Sequence, residues 1–140
     1  MSAETMHLAL PARAKVNLCL HVERRRPDGY HDLRTRFQAL ALHDLLLAER
    51  SSGRTTLDGG CDDDLVLRAV AALERRVKKP LPTRLRLEKR IPAGAGLGGG
   101  SSDAATTLRL LARLHRLDLD LTPVATELGA DVPFFLAGGA

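Results

Sequence analysis

The sequence predicts an α+β fold, in which a mostly antiparallel sheet carries helices packed on one face. Residues 8–22 alternate between apolar and polar types, which is typical of a strand with one buried face. Apolar residues recur at helical spacing in residues 65–77 and again after residue 101. Strands precede most of the helices and few strand–helix–strand repeats occur, so the order favours α+β over a parallel α/β sheet.

The composition is typical of one soluble globular domain. The chain has 140 residues, of which 44% are hydrophobic and 27% charged, so it is long enough to bury a core. No apolar run approaches the ~20 residues of a membrane span, and we find no secretion signal. Cys19 and Cys61 are too few for a disulfide framework, so we expect free thiols and a cytoplasmic location.

The net charge of +4 has two interpretations. It describes either a solvated, arginine-rich surface or a surface that attracts anions such as nucleotides or nucleic acid. Aromatic residues make up only 3% of the chain, and single-stranded nucleic acid usually stacks on such side chains. We therefore expect no nucleic-acid partner.

A glycine-rich stretch at residues 88–105 dominates the sequence, and five of the seven residues from 94 to 100 are glycine. A strand-like run precedes it at residues 84–87 and a helical pattern follows from Ser101, whereas flexible linkers do not usually lie between such elements. Glycines let backbone N–H groups approach a ligand, and a helix start adds unpaired N–H donors. The stretch therefore predicts a phosphate site. It is not a Walker A loop, and its match to G-x-G-x-x-G is weak because any run this rich in glycine satisfies that pattern.

The helix after the glycines is predicted to begin near Ser101 and Ser102. Either hydroxyl is a suitable N-cap, and the alternative is that one of them faces phosphate or Mg²⁺. A short helix is predicted from Thr122 as N-cap to Gly129 as C-cap, followed by Asp131 and an apolar run.

Lys15 and Asn17 lie on the polar side of the first predicted strand, about 7 Å apart, opposite Val16 and Leu18. The simplest interpretation of such a lysine is a solvated position. Residues 33–50 predict two further strand segments.

Several motifs resemble one superfamily, the GHMP kinases, named after the galactokinase, homoserine, mevalonate and phosphomevalonate kinases. Residues 92–105, Pro-Ala-Gly-Ala-Gly-Leu-Gly-Gly-Gly-Ser-Ser-Asp-Ala-Ala, resemble its ATP-binding motif. The triple glycine with Ser-Ser-Asp is similar to the 4-diphosphocytidyl-2-C-methyl-D-erythritol kinase family. Residues 14–18 (Ala-Lys-Val-Asn-Leu), 26–31 (Arg-Pro-Asp-Gly-Tyr-His) and 128–135 (Leu-Gly-Ala-Asp-Val-Pro-Phe-Phe) resemble the same family.

The resemblance implies roles for single residues. Lys15 matches the catalytic lysine, Asn17 the neighbouring active-site asparagine, and Asp131 the catalytic aspartate that accepts the hydroxyl proton. Tyr30 and His31 match the pair that holds the cytosine of the substrate. The resemblance also implies that Lys15 stabilises the charge of Asp131.

The resemblance further implies a set of ATP contacts. These residues are Leu65, Pro92, Ala93, Gly94, Ala95, Gly96, Leu97, Gly98, Gly99, Gly100, Ser101 and Ser102. The family has an Asn-Leu pair near the adenine, whereas this chain has Asp64-Leu65. That departure puts the adenine contact at this helix start in doubt.

The implied fold is the ribosomal-protein-S5-like N-terminal domain of a GHMP kinase. Members are about twice this length, so residues 1–140 would be the ATP-binding domain, with the C-terminal domain outside this chain. The implied reaction is ATP-dependent phosphorylation of the 2-hydroxyl of 4-diphosphocytidyl-2-C-methyl-D-erythritol, with Mg²⁺, in non-mevalonate isoprenoid biosynthesis. Histidine spacing and the adjacent residues 62–64 predict no protein metal site. The alternatives are another small-molecule GHMP kinase and a non-catalytic S5-like domain that binds RNA or nucleotide.

Overall fold

The computed structural model of the protein describes residues 6–25, 27, 31–59, 65–94 and 96–137. In chain order, the elements are β1 (His7–Arg25), β2 (His31–Arg50), β3 (Thr56–Asp58), α1 (Leu65–Val77), β4 (Thr83–Glu88), α2 (Gly99–Leu114), α3 (Thr122–Leu128) and α4 (Val132–Leu136). No helix within the described part of the chain is long and apolar enough to cross a membrane.

The four strands form one sheet in the order β1-β2-β4-β3. β1 pairs with β2 and β2 with β4 in antiparallel fashion, whereas β3 and β4 are parallel. The predicted α+β class with a mostly antiparallel sheet is therefore confirmed. The prediction of two strand segments in residues 33–50 is wrong, because β2 runs unbroken through this region, paired first with β1 and then also with β4.

One face of the sheet is buried and the other is exposed. In β4, Leu85 and Leu87 are buried while Arg84 and Arg86 are exposed, as a half-buried strand requires. The buried leucines join one core with the apolar faces of α1 and α2. Burial of this apolar area, at roughly 25 cal/mol per Å², is the main force that holds the helices on the sheet.

β1 differs from its predicted alternation. Register shifts interrupt its pairing between Arg13 and Lys15 and between Asn17 and Cys19. A β-bulge adds a residue to one strand and redirects the side chains that follow it. Leu18, predicted on the buried face, is consequently 57% exposed, whereas Lys15 is only 6% exposed. The predicted burial of Leu18 is wrong for this reason.

The start of α2 also differs from its prediction. The helix begins at Gly99, with Gly98 in the left-handed conformation as N-cap, and no side chain caps it. The Ser102 N–H donates to the Gly98 carbonyl at 2.9 Å, which is the first bond of the helix. Both Ser101 and Ser102 therefore lie inside the first turn, and their prediction as N-caps is wrong.

The helices α1 and α3 follow the sequence closely, whereas α4 was predicted only as an apolar run. α1 spans the predicted residues 65–77, and Gly129 is the C-cap of α3 as expected. The N-cap of α3 is Leu121 rather than Thr122, one residue earlier than predicted. β1 extends to Arg25 and Pro27 lies in a turn, while Arg26, residues 28–30 and residues 60–64 are outside the described part of the chain.

Candidate active site

Lys15 is attached to the glycine-rich loop through its backbone. Its N–H donates to the carbonyl of Leu97 at 2.8 Å. Its ammonium group donates to Oδ1 of Asn17 at 3.1 Å, so the expected proximity of these two side chains is confirmed. A buried ammonium group is costly unless it is hydrogen-bonded or paired, so this arrangement differs from the solvated position that a lone lysine usually takes.

Gly98 brings the loop into contact with Lys15. Its φ is +70°, a conformation that L side chains rarely adopt. A Cβ at this position would lie 3.0 Å from Lys15 Cγ and 3.0 Å from Phe135 Cζ. The absence of a side chain here lets the loop, the strand β1 and the helix α4 meet at one point.

Three phenylalanine rings extend this contact. Lys15 Nζ lies 4.8 Å from the centroid of the Phe37 ring, within the range of a cation–π interaction. The Phe37 ring packs edge-on against Phe134 at 5.1 Å, and Phe134 packs against Phe135 at 5.0 Å. Lys15 is therefore connected to α4 through both the loop and the aromatic rings.

Asp131 immediately precedes α4 and is half-buried. A structural aspartate at this position would cap the helix, but the Asp131 side chain makes no capping hydrogen bond. Among the described residues, no ion pair joins it to Lys15. Its catalytic role stays a prediction.

Two further glycines of the loop have the left-handed conformation. Gly94 and Gly96 also have positive φ values, of +73° and +72°, and a Cβ on either would meet nothing within 4 Å. The backbone is therefore open to an approaching group at these two positions. A Cβ on Gly100 would lie 3.4 Å from Leu65 Cδ1, which brings the start of α1 to the same loop.

The other predicted ATP contacts surround this loop. Pro92 and Ala93 are exposed, Leu97 and Gly99 are half-buried, Ser101 is half-buried and Ser102 is buried. Ala95 and Asp64 lie outside the described residues.

The predicted substrate contacts are only partly described. Asn17 is exposed and hydrogen-bonded to Lys15. Tyr30 lies outside the described residues. His31 is the first residue of β2, and its side chain also lies outside the described part of the chain. The predicted cytosine contact therefore stays a prediction.

Sequence reasoning missed a charged cluster next to the loop, formed by the buried Asp44 and Asp103 and by Lys89, whose side chain is 37% exposed. Lys89 Nζ donates to Asp44 Oδ2 at 2.7 Å and to Asp103 Oδ2 at 3.0 Å. Asp44 is fully buried and Asp103 is 2% exposed. The available signal was a single aspartate within the apolar pattern of β2, because such a residue needs a buried partner.

Proton affinities within the cluster are strongly perturbed. Burial raises the pKa of Asp103 to about 8, and the neighbouring Asp44 carboxyl adds to this while Lys89 opposes it. Burial also acts to raise the pKa of Asp44, but hydrogen bonds from Asp103, the Ile91 N–H and Lys89 hold it below its usual value. Asp103 Oδ1 has no hydrogen-bond donor among the described residues. A proton on the Asp103 carboxyl would let it donate to Asp44.

The described residues contain no group of three or more histidine, cysteine, aspartate or glutamate side chains that could hold a metal ion. Mg²⁺ usually keeps several waters and is bound through nucleotide phosphates with one or two protein ligands. A magnesium ion that is bound in this way needs no such cluster of protein side chains.

Comparison with known proteins agrees with this geometry. The family model described as the GHMP kinases N terminal domain matches residues 64–139. The 4-diphosphocytidyl-2-C-methyl-D-erythritol kinase of Ralstonia pickettii (strain 12J) is 50% identical over 137 residues, covering 91% of this chain and 47% of its own length. The chain thus spans about half the length of the curated relatives it matches.

Solved structures show the same relationship. A crystal structure of 4-(cytidine 5'-diphospho)-2C-methyl-D-erythritol kinase is 47% identical, with a TM-score of 0.86, over 94% of this chain and 49% of that one. The Methanococcus jannaschii mevalonate kinase shares the fold, with a TM-score of 0.67 at 16% identity, over 96% of this chain and 48% of its own. Since the family model covers more than half of a chain whose glycine loop, Lys15 and α4 meet in one site, the protein belongs to the GHMP kinases.

Proposed function

We propose that this chain is the ATP-binding half of a kinase. The full-length protein would transfer the γ-phosphate of ATP to the 2-hydroxyl of 4-diphosphocytidyl-2-C-methyl-D-erythritol, in the cytoplasm, for non-mevalonate isoprenoid biosynthesis. The observation that carries the proposal is the burial of Lys15 against the glycine loop, with its N–H bonded to Leu97 and its side chain against Gly98.

The glycine loop would hold the phosphates of ATP. Gly94 and Gly96 leave the backbone open, and α2 begins directly behind them with its unpaired N–H groups and the positive end of its dipole. Leu65, beside Gly100, would contribute apolar surface to the nucleotide pocket. Mg²⁺ bound to the nucleotide would neutralise phosphate charge.

Lys15 and Asp131 would serve the acceptor hydroxyl. Phosphoryl transfer requires positioning and charge neutralisation more than covalent chemistry from the protein. Asp131 would accept the hydroxyl proton, since its carboxylate is not used to cap α4. Lys15 would orient the same hydroxyl by its positive charge, while Asn17 holds the ammonium group through the 3.1 Å hydrogen bond.

The choice of substrate is supported by the relatives. Proteins that are 47–50% identical to this chain are named as kinases of the cytidine-linked methylerythritol, whereas the mevalonate kinase above shares only 16% identity. Tyr30 and His31 would bind the cytosine. A GHMP kinase for another small alcohol is the competing proposal, because the glycine loop alone is common to the superfamily.

A substrate screen on the full-length protein tests the proposal. We expect ATP-dependent phosphorylation of 4-diphosphocytidyl-2-C-methyl-D-erythritol and little turnover of mevalonate, phosphomevalonate or homoserine. Equal or greater kcat/KM for one of the latter three would overturn the substrate assignment. A protein that binds RNA but neither binds nor hydrolyses ATP would overturn the kinase assignment as well.

A further inference from the structure

We propose that the Asp44–Lys89–Asp103 cluster holds both ends of the glycine loop against the sheet. This makes Lys89 and Asp103 positioning residues for ATP. Its effect on ATP rests on the proposed function above.

Asp44 fixes the chain just before the loop. It lies in β2, and its Oδ1 accepts the N–H of Arg90 at 2.6 Å and that of Ile91 at 2.9 Å. These bonds hold the bend that follows β4 against the neighbouring strand. Because Asp44 is fully buried, the charge-assisted bonds are shielded from water and salt.

Lys89 carries the connection to the other end of the loop. It bonds to Asp44 on one side and to Asp103 on the other, and Asp103 lies in the second turn of α2. Gly99, the first residue of α2, packs against the same group: a Cβ there would lie 3.0 Å from Ile91 Cγ2 and 3.4 Å from Lys89 Nζ. Both ends of residues 92–98 are therefore held by one cluster.

The cluster is better suited to fixing a position than to adding stability. Burial of the carboxyl groups of Asp44 and Asp103 costs free energy, and apolar replacements of buried ion pairs often leave stability unchanged or raise it. Hydrogen-bonded charges, unlike apolar contacts, require one particular arrangement of their partners. A phosphate loop whose N–H groups must point at one position gains from such an arrangement.

The test compares Asp103→Asn, Asp103→Ala and the double variant Lys89→Met with Asp103→Leu. The asparagine retains an acceptor for Lys89 and a donor for Asp44. The alanine removes both hydrogen-bonding groups, and the double variant replaces the polar contacts with apolar packing. Arg75→Ala, which removes an exposed ion pair between α1 and Glu127 of α3 and leaves the cluster unchanged, is the control. The measurements on the full-length protein are unfolding in urea, backbone hydrogen exchange at residues 96–103, and ATP titration with kcat and KM.

We expect Asp103→Asn and the control to keep loop exchange and ATP affinity within about threefold of the wild type. Asp103→Ala and the double variant should exchange roughly tenfold faster in the loop and bind ATP roughly tenfold more weakly, with a smaller change in kcat. The double variant should do so while its stability stays near that of the wild type. If it does not fold, the difference between alanine and asparagine at residue 103 decides the question.

Wild-type exchange in the loop of a folded double variant, or of Asp103→Ala, would overturn the inference. A wild-type protein that binds no ATP would instead overturn the proposed function. The exchange data would still decide whether the cluster holds the loop. Equal loss in Asp103→Asn and Asp103→Ala would show that hydrogen bonding at this position is not what holds the loop.

Discussion

Gly98 packs directly against the side chain of Lys15, so closely that a Cβ on the glycine would lie 3.0 Å from Lys15 Cγ and 3.1 Å from Cε. This single contact sets the position of Lys15 relative to the glycine loop. The loop would hold phosphate, and Lys15 would orient the acceptor hydroxyl. We therefore expect a larger side chain at residue 98 to displace Lys15.

Substitution of Gly98 by alanine should impair the chemistry more than the same change at Gly96. Both glycines have φ values near +70°, so both changes carry a similar backbone strain of about 1–2 kcal/mol. Only the Gly98 methyl group meets Lys15 and Phe135, whereas the one at Gly96 meets nothing within 4 Å. We expect kcat of the full-length protein to fall about tenfold further in Gly98→Ala, because small displacements of catalytic groups are costly. Equal kcat values for the two variants would show that the contact does not position Lys15.

Asp131→Asn should lower kcat of the full-length protein by about 10²–10⁴ with little change in ATP affinity, because it keeps the shape but removes the base. Lys15→Ala should also lower kcat. The double variant should lose less than the product of the two single losses, because the residues act on the same hydroxyl. Steady-state kinetics and ATP calorimetry measure these effects, and independent losses that multiply would contradict the assignment.

Gly59→Ala should destabilise the fold by roughly 2–4 kcal/mol. Gly59 follows β3 with φ +89°, and a Cβ there would lie 2.2 Å from the Leu87 carbonyl oxygen, which is backbone and cannot rotate away. Gly53→Ala is the matched control, since a Cβ at that exposed turn meets nothing within 4 Å and should change stability by less than about 1 kcal/mol. Urea unfolding of both variants measures the difference, and similar midpoints would contradict the placement of β3 beside β4.

The stability of the wild type should contain a pH-dependent contribution that is absent from Asp103→Asn. Burial raises the pKa of Asp103 to about 8, above its ordinary value of 3.8. A raised carboxyl pKa means that the folded state binds more protons than the unfolded state between these values. The contribution is therefore fully present below about pH 4 and is lost as the pH rises through 8.

Burial lowers the pKa of His115, which acts in the opposite sense near pH 6.5, so the measured quantity is the difference between the two proteins. The unfolding free energy of the wild type, relative to Asp103→Asn, should decrease from pH 5 to pH 9. A difference that is constant with pH would show that Asp103 is ionised throughout this range.

We expect the 140-residue chain by itself to turn over poorly, because it matches only about half the length of its relatives. We expect at least tenfold lower kcat/KM than for the full-length protein, since incomplete positioning of the two substrates is costly. Parallel kinetic assays of both lengths measure this. A rate equal to that of the full-length protein would show that the first 140 residues contain all that the reaction needs.

The local pattern of the sequence was sufficient for α1 and for recognising the glycine-rich loop. α1 occupies the predicted residues, because an apolar stripe at helical spacing followed by prolines leaves few other conformations. The glycine-rich stretch was recognisable because backbone conformations with positive φ favour glycine strongly. The resemblance to the GHMP kinases rested on these same short-range patterns.

Only the tertiary structure decided how the strands pair and which charged groups meet. The bulge beside Lys15 depends on the pairing of β1 with β2, so its alternation alone misplaced Leu18. β3 is too short to show a pattern and is a strand only because β4 lies beside it. Asp44 and Asp103 are far apart in sequence, and no local pattern connects them. The fold buries both carboxyl groups, where an unpaired charge would be too costly, and the partly exposed Lys89 bonds to both.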